Sequence, residues 1–467
     1  MATGDDIMYV MKFGVASVSE AARLRSTVDL CRTRPNGSLV VVCTAIAGVT
    51  DTLISAARSA TTGDEAAVEI ARRDIWSRHR TLAEKVVHDE WERETLYREW
   101  AALLKTFDRV TRSIMTLGDR SLRGIDAIAA LGERFVSHLV GTVLRQHGIA
   151  AKVIDAAELI VTDDHFGAAR PFPQESAERI RKRLQPALQS GIVPVITGYI
   201  GATREGVVTT LGRSGGDYTA ALIGAVMGAE EVWIWTDVDG ILTADPKIVY
   251  DAQTLEELSY VEAAEIATFG VEVLHSRTLI PIIEHNVVLR IRNALRPNHP
   301  GTRIVARPQP SSRAARTIIS AHGLSMLTLT SKNEDDWTPD LAARTLTRLS
   351  DTGVDVLSFT QSFSQRSLAL TVRSTDAAFA SESLRAIFHH NGTSDGSITI
   401  TAPVALVSVI STTSSTLMPL VLTALGQADA HVLALAQSST SFHISFILPE
   451  SEVQHVVRTL HRDLRLA

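Results

Sequence analysis

A glycine-rich stretch followed by a long apolar run, "TTLGRSGGDYTAALIGAVMGA" at residues 209–229, holds residue types that could bind an anion. Gly212, Gly215 and Gly216 allow a tight loop, and the small apolar residues after them are typical of a buried helix. The N-terminus of such a helix attracts negative groups, because its free N–H groups and its dipole favour them. The pattern predicts an anion site, although a glycine-rich connection without a ligand would have the same composition.

The charge of the chain narrows the kind of anion. The formal net charge is -6, so the broad basic surface that a nucleic acid needs is not expected. A nucleotide or a dicarboxylate needs only a local cluster of positive charge. Arg213 in the loop above and Lys12 in "MKFG" are basic residues close to glycines.

Alternating strand and helix patterns must position these residues. "IMYVMKFG" and "SLVVVCTAIAGVTDTLISAA" each begin as a strand and turn at a glycine, and the second continues as a helix. "AAKVIDAAELIVT", "GIVPVITGYIGAT" and "EEVWIWTDVDGIL" are apolar and β-branched, which is typical of parallel strands buried on both faces. Residues 65–145 are charged and helix-forming. The sequence therefore predicts an α/β sheet enclosed by helices.

Length and composition set the class of protein. At 467 residues two or three domains are expected. No apolar run reaches the roughly 18–20 residues that cross a bilayer, and acids stand near the N-terminus where a signal peptide carries bases. We expect a cytoplasmic protein without membrane or nucleic-acid partners. Cys31 and Cys43 lack the spacing of a zinc site or disulfide framework, so no protein metal site is expected.

The C-terminal part repeats itself. "VDVLSFTQSFSQRSLALTV" around Gln361 aligns with "AHVLALAQSSTSFHISFIL" around Gln437, and each predicts part of a β-α-β-β-α-β module of the ferredoxin-like type. Before these copies, residues 303–316 combine prolines, serines and arginines, which indicates a linker whose charges are solvated.

Motifs in chain order resemble those of one family, the aspartate kinases. "KFGVASV" is similar to its K-F-G-G-T-S-V, "VVVCTAIAGVTDTL" to V-V-V-S-A-M-S-G-V-T-D-x-L, and "GER" at Gly132 to its G-E-R. "TTLGRSGGDYTAA" resembles T-T-L-G-R-G-G-S-D-Y-T-A-A, "WTDVDGILTADPK" resembles W-T-D-V-D-G-I-x-T-A-D-P-R, and "FGVEVLHSRT" resembles F-G-A-K-V-L-H-P-R-T. The resemblance implies an amino-acid kinase domain at residues 1–302, the linker at 303–316, and tandem ACT regulatory modules at 317–467.

The activity implied is ATP-dependent phosphorylation of the side-chain carboxylate of L-aspartate, with Mg²⁺ as cofactor, at the start of lysine and threonine biosynthesis. A carboxylate with a pKa near 4 is already ionised at neutral pH, so it needs no general base to act as a nucleophile. Catalysis then consists of positioning and charge neutralisation.

The resemblance also implies roles for individual residues. Lys12 and Asp217 would be catalytic. The substrate would be bound by a set with hydroxyl, carboxylate and guanidinium groups: Thr44, Thr50, Glu133 and Arg213. The nucleotide would be bound by strand-end and loop residues: Lys12, Gly14, Ser17, Gly215, Gly216, Thr236, Asp237, Leu242 and Lys247.

Three departures from the family pattern lie on the phosphate side. Val15 replaces the second glycine, Ala16 the threonine and Glu272 a lysine. A β-branched residue where φ must be positive or where a phosphate group approaches closely would cost about 1–3 kcal/mol, and a carboxylate facing phosphates would repel them. Four further residues differ from the family pattern on the amino-acid side, and their effects are expected to be mild: Thr44, Tyr199, Ser214 and Gly216. Two interpretations remain: a working kinase with a modified phosphate cradle, or a weakened homologue that serves as a partner subunit or acts on a related amino acid.

The regulatory half also departs from the family. Its effector loops, "SKNEDDWTPD" and "STTSSTLMPL", lack the usual glycines. An amino-acid effector, lysine or threonine, would use residues at the strand ends: Gln361, Ser362, Gln437 and Ser438. Because ferredoxin-like modules leave free sheet edges, a homodimer or higher oligomer through the ACT modules is expected.

Overall fold

The computed structural model describes residues 7–34, 37–269, 273–309, 315–331, 339–362, 364, 366–389, 396–411, 417–437 and 443–466. The chain forms two compact units whose ranges interleave. The first contains Met1–Ile241, Glu256–Tyr260 and Val273–Pro308, and the second contains Leu242–Leu255, Val261–Glu272 and Gln309–Ala467. The sequence boundary at residue 302 assumed one continuous first domain, so it does not describe this interleaving.

A largely parallel sheet forms the centre of the first unit. Within the described residues it has eight strands: β1 (Tyr9–Phe13), β2 (Leu39–Cys43), β3 (Ala151–Ile154), β4 (Val193–Thr197), β7 (Glu231–Thr236), β8 (Glu257–Ser259), β9 (Val288–Asn293) and β10 (Thr302–Val305). Their order is β3-β4-β2-β1-β7-β9-β10-β8, and the β9–β10 pair is antiparallel. β2 and β4 are buried at every residue, as their continuous apolar sequences predict. A hairpin of β5 (Ile200–Ala202) and β6 (Val208–Thr210) lies apart from this sheet.

Helices accompany the sheet in chain order. They are α1 (Val15–Val18), α2 (Ala21–Arg32), α3 (Val49–Thr61), α4 (Glu65–Val86), α5 (Glu90–Leu117), α6 (Leu122–Ala129), α7 (Leu131–Gln146), α8 (Pro173–Gln189), α9 (Gly215–Met227), α10 (Tyr260–Thr268), which passes into the second unit at Val261, and α11 (Ser276–His285). The stretch Leu122–Gln146 is long and apolar enough to cross a membrane, but 83% of its apolar window is buried inside the protein. Its apolar side chains therefore contribute to the core.

The carboxyl ends of neighbouring parallel strands meet at one edge of the sheet. β1 pairs in parallel with β2 and β7, and β2 pairs in parallel with β4. The chain leads from β1 to β2 on one side and adds β7 on the other side of β1 only later, after α9, so a crevice is expected at the ends of these strands. Lys12, Thr44 and Thr236 all lie at this edge.

The second unit contains a six-stranded antiparallel sheet among its described residues. Its strands are β11 (Thr317–Ser331), β12 (Ser358–Ser362), β13 (Ser367–Arg373), β14 (Gly396–Ile410), β15 (Ala434–Gln437) and β16 (His443–Pro449), in the order β12-β13-β11-β14-β16-β15. The helices are α12 (Pro339–Asp351), α13 (Ala377–His389), α14 (Leu417–Gln427) and α15 (Val453–Asp463).

Two ferredoxin-like modules share this sheet. In the first, residues 324–330 of β11 pair with β13 and with the start of β14, as a β-α-β-β-α-β module requires. In the second, the place of the fourth strand is taken by residues 317–321 of β11, which pair with residues 406–410 of β14. The repeat is confirmed, but the second copy is circularly permuted, because its last strand precedes the first module in the chain.

The predicted linker is wrong at both of its described ends. Residues 303–305 belong to β10. Arg316 is buried and forms an ion pair with Glu262 at 3.0 Å, so its charge is not solvated. Composition could not reveal either feature, because strand pairing and the partner carboxylate come from distant parts of the chain. Residues 310–314 lie outside the described residues.

Candidate functional site

An ion pair joins two elements at the carboxyl edge of the sheet. Nζ of Lys12, near the end of β1, lies 2.7 Å from Oδ1 of Asp217 in the first turn of α9. Their side chains are only 13% and 15% exposed. The structure thus brings together the two residues that the sequence predicted as catalytic, beside the N-terminus of a helix that favours anions.

Glycines allow the close packing around this pair. A Cβ atom at Gly14 would lie 3.0 Å from Nζ of Lys12, and one at Gly216 would lie 2.3 Å from Cγ2 of Thr44. A Cβ atom at Gly198, just after β4, would lie 3.0 Å from Cα of Gly216. The first turn of α9 therefore sits directly against the ends of β2 and β4, and Gly215 and Gly216 serve this packing within the candidate nucleotide site.

Glu133 is a buried carboxyl group next to the same turn. It lies in the first turn of α7, and its Oε1 accepts a hydrogen bond from the backbone N–H of Ala45 at 3.3 Å. Its Oε2 is buried and has no hydrogen-bond partner among the described residues. Burial raises the pKa of Glu133 to about 8. A carboxyl group with a free buried oxygen is suited to receive a cation such as an ammonium group.

Arg213 lies in an exposed loop with a left-handed backbone. The φ angles of Gly212 and Ser214 are 76° and 55°, and Ser214 precedes the first residue of α9. A non-glycine residue in this region is strained by roughly 1 kcal/mol or more. The exchange of the family's glycine for Ser214, expected to be mild, is therefore a strained one.

Two buried or half-buried charged groups hold this loop, and the sequence analysis did not select either. Asp126 of α6 accepts hydrogen bonds from the N–H groups of Gly167 and Thr210 at 2.9 and 2.8 Å, and from the Thr210 hydroxyl at 2.8 Å. Arg277 of α11 donates to the carbonyl groups of Leu211 at 2.8 Å and Ala169 at 3.0 Å. These two side chains fix the strand that leads into Arg213.

Signals for both were present in the sequence. Asp126 is an acid within the apolar stretch "IDAIAALGER", and Arg277 belongs to the quoted motif "LHSRT". Burial, and then the charges of Arg277 and Arg213, lower the pKa of His275 of the same motif. The motif "LHSRT" thus contains residues that surround the candidate site, although the resemblance assigned them no role.

The turn after β1 is not strained. Gly14 has a φ of -84°, Val15 begins the right-handed helix α1, and Val15 is 47% exposed. The expectation that Val15 occupies a position with positive φ is wrong, because the chain enters a helix there. Ala16 is buried and accepts a hydrogen bond at its carbonyl from Arg23 at 3.2 Å. Ser17 is buried, and its Oγ has no hydrogen-bond partner among the described residues.

The remaining predicted residues fall into two groups. Thr50 lies in the first turn of α3, and Thr236 ends β7, where its hydroxyl donates to Asp237 at 3.2 Å. Leu242 and Lys247 belong to the second compact unit rather than to the first. Glu272 lies outside the described residues, so its proposed effect on phosphates stays a prediction.

The candidate effector residues lie on edge strands of the second unit. Gln361 and Ser362 end β12, and Gln437 ends β15. The side-chain Nε2 of Gln361 is buried without a hydrogen-bond partner in the described part of the chain. Ser438 and most of the two glycine-free loops lie outside the described residues.

Comparisons with known proteins show which family the chain resembles. Residues 8–293 match the profile of the Amino acid kinase family. The chain is 33% identical to "Lysine-sensitive aspartokinase 3" of Escherichia coli (strain K12), and the alignment covers 68% of this chain and 70% of that protein.

 That alignment spans 327 residues. The chain is also 27% identical over 471 residues to "Bifunctional aspartokinase/homoserine dehydrogenase 1, chloroplastic" of Zea mays, which covers 98% of this chain but 50% of the maize protein. The chain therefore spans about half the length of such curated relatives.

A solved structure is similar over almost the whole chain. The structure of E. coli aspartokinase III in complex with aspartate and ADP, described as the R-state, superposes with a TM-score of 0.82 at 26% identity, and the match covers 98% of this chain and 100% of that one. The profile match, the identity to the E. coli relative and this superposition agree with the motifs and with the carboxyl-edge site. The chain belongs to the aspartokinases of the amino acid kinase family.

Proposed function

We propose that the protein transfers the γ-phosphoryl group of ATP to the side-chain carboxylate of L-aspartate and so forms 4-phospho-L-aspartate. The observation that carries the proposal is the Lys12–Asp217 ion pair, 2.7 Å long, at the carboxyl edge of β1 beside the N-terminus of α9. The E. coli relative whose structure is similar holds aspartate and ADP. This complex supports the proposal that the same two ligands bind here.

Lys12 provides the positive charge that phosphoryl transfer requires. Its ammonium group stabilises negative charge on the transferring group, and its low exposure makes that interaction stronger than it would be in water. Asp217 holds the ammonium group in place through the ion pair. The acceptor carboxylate is already ionised, so the site needs no general base.

Glu133 and Arg213 bind the two ends of the amino-acid group. The free Oε2 of Glu133 receives the α-ammonium group, which compensates the cost of its burial. The planar guanidinium group of Arg213 forms a bidentate pair with the α-carboxylate. Thr44 and Thr50 offer hydroxyl groups near the turn that follows β2.

The nucleotide side requires Mg²⁺ in this proposal. Among the described residues no group of three or more His, Cys, Asp or Glu side chains could form a metal cage. Mg²⁺ is commonly held by phosphate oxygens and water with one or two carboxylates, and Asp237, an exposed carboxylate that follows β7, would be such a ligand. When bound, Mg²⁺ neutralises phosphate charge. Thr236, Leu242 and Lys247 remain candidates for contacts with the nucleotide.

Lysine is the effector that we propose for the second unit, with threonine as the alternative. The E. coli relative is named as lysine-sensitive. The side-chain Nε2 of Gln361 is buried without a hydrogen-bond partner among the described residues, so it can donate a hydrogen bond to the carboxylate of a ligand. Calorimetric titration of lysine and threonine into the full chain, with Gln361→Ala as comparison, distinguishes the two.

Self-association through the second unit is also proposed, in a cytoplasmic protein. The edge strands β12 and β15 carry exposed apolar residues, Phe359 and Leu435, and edge strands commonly pair with another chain. Light scattering of the full chain and of Phe359→Lys measures the oligomeric state. We expect a dimer or larger oligomer that dissociates in the variant, and an unchanged mass would contradict the proposal.

The activity is tested by aspartate-dependent ATP consumption and by trapping the acyl phosphate with hydroxylamine. We expect activity in the wild-type chain and its loss in Lys12→Met. A folded, aspartate-binding wild-type chain without turnover would instead support the interpretation as a kinase-dead partner subunit. Activity with a related amino acid but not with aspartate would support the other form of that second interpretation, a homologue that acts on a related amino acid.

A further inference from the structure

Thr44 and Gly216 contact each other more closely than any side chain at position 216 would allow. An ideal Cβ atom at Gly216 would lie 2.3 Å from Cγ2 of Thr44, whereas real Cβ atoms do not approach other atoms within 3.0 Å. The γ-methyl group of Thr44 therefore fills the space that a side chain at 216 would need. The family pattern has serine at both positions, so the two exchanges in this chain compensate each other in volume.

The same contact lies next to the catalytic ion pair. The Cβ position at Gly216 is 3.5 Å from Cε of Lys12, and Asp217 follows Gly216 directly in the chain. The backbone N–H of Thr44 donates to the carbonyl of Phe13, the neighbour of Lys12, at 3.3 Å. Thr44 thus connects the end of β1, which carries Lys12, with the first turn of α9, which carries Asp217.

We propose that the γ-methyl group of Thr44 and the bare backbone of Gly216 form one coupled pair that positions the Lys12–Asp217 ion pair. This role of Thr44 uses its methyl group and is separate from any contact of its hydroxyl with substrate. The proposal rests on the proposed function for its catalytic part. The steric coupling itself follows from packing, because a side chain at 216 is accommodated only when residue 44 lacks the methyl group.

Removing the methyl group should relieve the clash. In Thr44→Ser the contacts left for a Cβ atom at 216 are Cε of Lys12 at 3.5 Å and Cβ of residue 44 at 3.8 Å, both ordinary van der Waals distances. Gly216 lies inside α9 and is not among the residues with positive φ. Alanine at 216 is therefore compatible with the backbone and raises helix propensity.

A double-mutant cycle in the full chain tests the proposal. Gly216→Ala is made in three backgrounds, wild type, Thr44→Ser and Thr44→Val, and each protein is compared with its own background. Valine retains the γ-methyl group of threonine and has a second methyl group in place of the hydroxyl, so it separates the effect of side-chain volume from that of hydrogen bonding. Thermal unfolding and the kcat and KM for aspartate are measured for all six proteins.

We expect Gly216→Ala to lower the melting temperature and to reduce kcat about tenfold or more in the wild-type and Thr44→Val backgrounds, because small displacements of reacting groups are costly. In Thr44→Ser the loss should fall below about threefold, with the melting temperature restored. The KM for aspartate should change less than kcat. Equal losses of melting temperature in all three backgrounds would refute the coupled pair, and coupling in melting temperature without coupling in kcat would refute its positioning role. The unfolding cycle needs no turnover, so a wild-type chain without activity would refute the proposed function separately.

Discussion

The loop that carries Arg213 and the turn that follows β1 lie in the same unit but are built differently. The loop contains two left-handed residues, Gly212 and Ser214, and is held by Asp126 and Arg277 through buried or half-buried hydrogen bonds. The turn enters helix α1 at Val15 without positive φ. Strain is thus concentrated where the substrate carboxylate is proposed to bind, whereas Val15 and Ala16 on the phosphate side have ordinary helical geometry.

The largest effect is expected at the point where the two regions meet. Lys12→Met removes the ammonium group that is proposed to stabilise the transferring phosphoryl group, and kcat should fall by about 10²–10³-fold, as when one charge-stabilising donor is lost from an active site. Steady-state kinetics measure this change. Lys152→Met, the same exchange at an exposed position of β3, is the matched control and should retain activity. A similar kcat in both variants would remove Lys12 from the catalytic role.

Arg213→Ala tests the strained loop. Loss of a charge-assisted, bidentate hydrogen bond should raise the KM for aspartate by about 10–100-fold and the KM for ATP far less. Separate titrations of the two substrates measure this difference. The control is Arg204→Ala, which removes an exposed arginine that pairs with Glu175 at the surface. An unchanged KM for aspartate would show that the loop does not bind the carboxylate.

Sequence reasoning recovered the sheet, the helices and most of the residues at the carboxyl edge, because strand periodicity and ordered motifs are local signals. It misjudged the cost of individual exchanges. Val15 was expected to be strained and is helical, whereas Ser214 was expected to be mild and has a φ of 55°. Residue type alone does not specify backbone conformation. The permuted second module and the partners of Asp126 and Arg277 also depend on contacts between distant segments, which one sequence does not reveal.

The pH dependence of aspartate binding tests the buried carboxyl of the substrate side. Burial raises the pKa of Glu133 to about 8, so in the ligand-free protein the group is largely protonated at pH 7 and must ionise to pair with an ammonium group. Aspartate affinity should rise about tenfold between pH 6.5 and 7.5, and Glu133→Gln should bind weakly with a flatter profile. The same shift lowers the stability of the ligand-free protein as the pH rises from about 4.5 to 8. Calorimetry at several pH values measures the affinity, and equal slopes in both proteins would exclude Glu133 as the titrating group.

The smallest effect is expected from restoring the family glycine on the phosphate side. Because Val15 is exposed and helical, Val15→Gly relieves no strain and instead introduces glycine into a helix, which should lower the free energy of unfolding by about 0.5–1 kcal/mol. The KM for ATP should stay within about twofold of the wild type. Ser214→Gly is the matched comparison, since it places glycine at a left-handed position and should raise the free energy of unfolding by roughly 1 kcal/mol. Thermal unfolding and ATP titration of both variants measure these changes. A clear gain in ATP use by Val15→Gly alone would show that the turn after β1 limits nucleotide binding, and the contrast between the two regions would then fail.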